Sequence, residues 1–283
     1  MNTTIKSHQL LLTGLFFAFL VVFPVSLAVA QSTEPTPAPD KMVIYQKGSL
    51  TEEIAEVRRT YGGQLAEYRI AEQQFVVAQG QYQKLNTLSA LEAAVKATQK
   101  VYLLRDQVIE TYLELLRLEL KNSEGISKVF QDEGFAQLEF ITKAVVRHRE
   151  AVQGSTDRAG MNQMALDFAL LQKNLVYTTE YVATILELGK LQAIQDKSIA
   201  LVDDLQDEVS QKEESVVKDE QVRALEQIRV KQDEARSLIE KLETRIGKTV
   251  ERQSGLNVGR ELEAVYSVLS QTLTYLDEVA TKM

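Results

Sequence analysis

The chain has 283 residues, with no cysteine, two histidines, four prolines and 32 Lys+Arg against 40 Asp+Glu, a net charge of −8. The missing cysteines exclude disulfides and thiolate metal sites. The acidic balance argues against nucleic acid, whose phosphates need a basic face.

All four prolines lie at or before Pro39. An interior proline costs a helix about 3 kcal/mol, so the long remainder permits uninterrupted helices. At the front, Lys6 precedes an apolar run from Leu10 to Phe23, which Pro24 interrupts. Ala28-Val29-Ala30 has the small-x-small form of a signal-peptidase site. This order predicts a signal peptide over 1–30, cleaved after Ala30, and an exported protein: periplasmic, surface-bound or secreted. Residues 10–30 are also long enough to span a bilayer, so a retained anchor is the alternative. Removing the leader takes away Lys6 and no acidic residue, leaving 31 Lys+Arg against 40 Asp+Glu. Residues 31–48 begin with QSTEPTPAPD and read as a proline-rich, solvated linker.

Ser49-Leu-Thr-Glu52 has the form of a capping box and predicts the start of a first helix. Tyr61, Tyr68, Phe75 and Tyr82 then recur every seven residues on one side of it. Gly62-Gly63 marks a hinge or a close approach of another helix. Ser89-Ala-Leu-Glu92 reads as a second capping box. The helix it opens has Leu88, Val95, Tyr102, Ile109 and Leu116 at sevens, and a stripe wide enough for more than one neighbour. Lys121–Gly125 ends it. A third helix is predicted from Ser127 to Val152, with Ile141, Val145 and Val152 inward. From Met161 an apolar pattern continues to about Lys212. A helix of about 50 residues is roughly 75 Å long, so part of it should project.

Lys212–Glu220 is charged enough to be the tip of such an arm. Leu225, Ile228, Gln232, Ala235, Ile239, Leu242 and Ile246 alternate by threes and fours, a coiled-coil seam whose simplest partner is the 190–212 stretch folding back. Gln232 is its polar register position. After the turn 254–259, a last helix is expected to carry Leu262, Val265, Leu269, Leu273, Leu276 and Val279 inward. The expected fold is all-α: an elongated antiparallel bundle of about six helices with a two-helix coiled-coil arm. Its parts are the bundle 49–189, the arm 190–253 and a C-terminal helix 254–283 returning to the bundle.

The chemistry-bearing residues are few. His148 is the histidine of the helical part; between Arg147 and Arg149 it reads as an exposed surface residue with a lowered pKa. Val145 stands where a di-iron Glu-x-x-His motif needs its glutamate. Asp203-Asp204 and Glu213-Glu214 lack a surrounding calcium-loop pattern, and the glycines form no phosphate loop. Neither catalytic residues nor a cofactor or metal site is expected. The aromatic sevens are either a binding stripe or a helix–helix interface. Lys143, Arg147, Arg149 and Arg158 are either a patch for an acidic partner or a solvated, ion-paired face.

The primary expectation is an exported, non-catalytic scaffold or protein-interaction protein of the cell envelope or surface. It would bind itself or a protein partner through an extended coiled-coil surface, touching membrane only through a retained leader. The alternative is a helical carrier or sensor with an apolar pocket around Tyr102, Tyr112, Phe168 and Tyr177. A third reading, a membrane-inserting helical protein, lacks a second apolar stretch of about 18 residues.

Overall fold

With no proline to stop it, the backbone satisfies its own hydrogen bonds over very long runs. The computed structural model describes residues 41–211, 216–252 and 258–281. The leader, the linker residues 31–40, the first four residues of the expected arm tip (212–215) and residues 253–257, which take in most of the expected turn 254–259, lie outside them. The described residues form six helices and no strand: α1 (Lys41–Leu85), α2 (Leu88–Asn122), α3 (Lys128–Gly154), α4 (Arg158–Ser210), α5 (Val216–Arg252) and α6 (Gly259–Thr281). Residues 42–283 belong to one unit.

The helix starts differ from the capping signals in two places. Helix α1 begins at Lys41, so Ser49–Glu52 lies inside it and caps nothing. No residue after Pro39 is costly enough to halt the helix earlier, since Gly48 costs only about 1 kcal/mol. At α2 the cap is Thr87, whose side chain accepts from the Ala90 amide, and not Ser89. Asn86, at φ 49°, makes the left-handed turn before it, a conformation asparagine tolerates better than most residues. Ser127 caps α3 and Asp157 caps α4, each accepting an amide three residues on.

Packing fixes a simple topology. Helix α1 runs antiparallel to α2: Arg58 reaches Glu119 at 2.7 Å and Lys100 reaches Gln74 at 3.1 Å. Helix α3 runs antiparallel to α2, and α4 antiparallel to α3, as shown by hydrogen bonds from Gln99 to the Val152 carbonyl and from His148 to Met164. The arm is formed by α5 folding back on α4, with Arg229 3.0 Å from Asp203 and the whole Leu225–Ile246 seam buried. The sequence pattern alone returns α6 to the 49–189 helices. The structure lays it along the arm instead, where Leu276 and Val279 join Val202, Leu205, Val209, Leu225 and Ile228 in one core. Arg245 and Glu261 pair where α5 and α6 begin to run side by side. The distal part is therefore three helices thick.

Helix α4 belongs to both groups. Its first half packs on α2 and α3, its second on α5 and α6. In its middle the consecutive residues Thr184, Ile185 and Leu186 are all buried. Three successive positions spread over about 200° of a helix, so neighbours cover more than half of α4 here. The α2–α3 turn presses on this point. Gly125 has φ 77°, and a Cβ there would overlap the Gly189 carbonyl. A Cβ on Gly189 would overlap Ile126 and lie 2.8 Å from the Glu124 carbonyl oxygen. By contrast, a Cβ at Gly62 or Gly63 meets nothing within 4 Å, so neither marks a close approach of another helix.

These two kinds of glycine predict opposite effects. Gly63→Ala should stabilise the fold by about 0.5–1 kcal/mol through helix propensity. Gly189→Ala should destabilise it by about 1–3 kcal/mol, because backbone as well as Ile126 must move. Equilibrium urea unfolding of the two variants checks both signs.

Candidate functional site

A helix that buries a charged residue must give it partners. In α2, Asp106 lies between Tyr102 and Ile109, on the face turned toward α3 and α4, and is 0% exposed. Its neighbour Arg105 is 5% exposed, and its Nε and Nη2 donate to Asp106 Oδ1 at 3.1 and 3.0 Å. The other carboxylate oxygen receives His148 Nδ1 of α3 at 2.6 Å. The far ring nitrogen of His148, Nε2, lies 2.9 Å from the Met164 carbonyl of α4. One carboxylate thus gathers an arginine and a histidine, and the histidine extends the chain to a third helix.

His148 is 7% exposed, which corrects its reading as a surface residue. Its arginine neighbours mislead because a helix turns 100° per residue: Arg147 and Arg149 point away while His148 points in. The spacing held the signal, since His148 follows Val145 by three and precedes Val152 by four, both fully buried. The direction of its titration is corrected as well. Burial works against its charge, but the hydrogen bonds to Asp106 and to the Met164 carbonyl, with the Asp106 charge, outweigh it and raise the pKa above 6.5. Arg105 pulls weakly the other way. Both ring nitrogens face acceptors, and only the doubly protonated imidazolium donates from both.

Aromatic rings close the cluster. The Arg105 guanidinium lies 3.2 Å from the Phe168 ring centroid and 4.8 Å from that of Tyr102. His148 meets Phe168 edge-on at 5.5 Å. Burial, helped by Glu72, pushes the Tyr68 hydroxyl up to about 12, so it stays neutral beside Arg105. Burial lowers the Arg105 pKa while Asp106 holds it up.

A second buried polar layer lies in the arm. Gln195 Nε2 donates to the Gln232 carbonyl at 2.8 Å, and Gln232 Nε2 donates to Ser198 Oγ at 3.2 Å. Ser198 Oγ donates back to the Gln195 carbonyl at 2.8 Å. Gln232 thus fixes where α5 sits on α4, the register role of a polar seam residue. Leu225, Ile228, Ala235, Ile239, Leu242 and Ile246 are buried above and below it.

The aromatic sevens lie at helix contacts. Tyr68 is buried against Val101 and Val108 of α2, with Tyr61 and Phe75 packed beside it. Tyr61 lies 5.7 Å from Tyr112, and the Tyr82 hydroxyl accepts from Arg158 at 3.2 Å. The four cations are separately engaged rather than clustered: Lys143 with Glu139, Arg147 with the Lys143 carbonyl, Arg149 with Glu110 and Arg158 with Tyr82. Of the four aromatics expected to line a pocket, Tyr102 and Phe168 both lie against Arg105, while Tyr112 packs on Tyr61 and Tyr177 sits beside Gln137. A cavity of about 270 Å³ lies elsewhere, between Leu91, Val95 and Gln99 of α2 and the α3–α4 turn. Among the described residues, no group of three or more His, Asp or Glu is placed to hold a metal ion, and no helix is long and apolar enough to cross a membrane.

Chemically the Arg105–Asp106–His148 cluster ties helices together through charge. Asp106→Ala should destabilise the protein by about 3–5 kcal/mol, because it leaves two buried cations uncompensated. Replacing the three together by Leu, Leu and Phe should come within about 2 kcal/mol of wild type, since no unpaired charge remains. Guanidinium unfolding midpoints of the single and triple variants test the contrast. Compared with family models, with curated proteins and with solved structures, the chain matches none.

Proposed function

We propose that the chain is an exported, non-catalytic helical scaffold that engages a protein partner, or a second copy of itself, along the side of its bundle. The observation that carries this reading is the single 53-residue α4, which serves as the common spine of two helix groups. At 1.5 Å per residue it is about 80 Å long, so the surface is extended rather than gathered round a cleft. Apolar side chains face solvent in pairs along it. Leu166 and Leu170 share a face of α4, with Leu170 78% exposed; Ile70 and Val77 do so on α1, and Tyr266 and Leu273 on α6. Such pairs suit the anchoring contacts of a protein interface. The order of charge, apolar run and small residues in 1–30 supports export. The carrier reading has less support, because the aromatics it relies on already have protein neighbours.

A photo-crosslinker placed at Lys173, one turn from Leu170, in cells making the full chain should yield one dominant adduct. That adduct is either a second protein or a doubled mass. Leu166→Lys with Leu170→Lys should reduce it at least tenfold, the loss expected of one or two interface anchors. Equal crosslinking by the double variant, or none by the wild type, counts against this surface.

A further inference from the structure

We propose that Arg105, Asp106 and His148 form a pH-released latch, which holds α3 to α2 and α4 while His148 is charged and loosens it when His148 is neutral. The geometry rests on two acceptors. His148 Nδ1 faces the Asp106 carboxylate and Nε2 faces the Met164 carbonyl, at 2.6 and 2.9 Å. A neutral imidazole has one donor nitrogen and one lone pair. Losing the proton therefore turns one of these hydrogen bonds into a contact of two acceptors, in a site closed to water. A proton kept on Nδ1 preserves the tie to Asp106 and gives up the one to Met164 of α4; a proton kept on Nε2 does the reverse and leaves Asp106 with Arg105 alone.

The groups facing His148 identify it as the one that titrates. From α2 these are Asp106 and Arg105; from α4 they are the Met164 carbonyl and the Phe168 ring, which carry no titrating proton. Tyr68 of α1 and Tyr102 of α2 lie beside Arg105, and both are raised by burial, away from neutral pH. The Arg149–Glu110 pair is a separate, more exposed bridge between α3 and α2. Since His148 is raised on folding, its contribution is fully present below the unfolded value of about 6.5 and is lost as pH rises through the folded one.

Two measurements on the full chain test this. In ¹⁵N-correlated spectra of the wild type at pH 6.5, both ring nitrogens of His148 should be protonated, and the titration midpoint should lie above 6.5. His8, the other histidine, is separated by comparison with His148→Gln. Hydrogen exchange, corrected for intrinsic rate, should show protection at Val145 and Val152 of α3 falling on the order of tenfold between pH 6 and pH 9. Protection at Leu225 and Ile239 of α5 should hold steady. In His148→Gln the pH dependence in α3 should vanish. A neutral ring at pH 6.5, or unchanged α3 protection across the range in the wild type, would overturn the latch; the wild-type data suffice if the variant does not fold.

Discussion

The constraint on which the rest depends is that one helix serves two cores. Near Ile185, α4 is covered over more than half of its circumference, by α2 and α3 toward its start and by α5 and α6 toward its end, with Glu187 and Lys190 on the side left open. A helix in that position cannot keep a narrow apolar stripe. Its residues must be apolar or self-bonding wherever a neighbour covers them, which is why Thr179 and Thr184 return their hydroxyls to their own helix's carbonyls. Small residues let neighbours in where side chains leave no room, as at Gly189 under the α2–α3 turn and at Gly134, whose Cβ would meet Leu120 and Ile185.

The two buried polar layers divide the labour of specificity. Apolar seams tolerate sliding, because one leucine packs much like the next. Asp106 with its two cations ties three helices at one level, and Gln195, Gln232 and Ser198 lock α5 to α4 at another. Each layer belongs to one helix group. Burial is expensive for both, and for that reason each tolerates few alternatives.

Much of this was legible in the sequence, for reasons that can be named. Long helices follow from the absence of proline, and the span of α3 from the apolar pattern that runs from Ser127 to Val152. The α5 seam follows from its three-four spacing. The start of α1 was not legible, because a capping motif describes what a helix start favours and does not forbid a helix from running through it. The site was hidden by composition. A histidine between two arginines looks solvated unless its phase to Val145 and Val152 is weighed more heavily. Asp106 looks like a surface charge until its partners arrive from another helix. The place of α6 depended on which group had an open flank, and no local pattern carries that information.

The unbroken spine also restricts how the chain's length can vary. Removing one residue from the middle of α4 would rotate everything beyond it by about 100° and shift it by 1.5 Å. The faces that meet α5 and α6 would then no longer be in phase with those that meet α2 and α3. Only changes of a few lengths, about seven, eleven or eighteen residues, come within about 20° of restoring the phase. Even those would carry Gly189 away from the turn that rests on it. Any insertions and deletions this architecture accepts therefore belong in its turns, and the distance between its two cores is held to a few fixed steps.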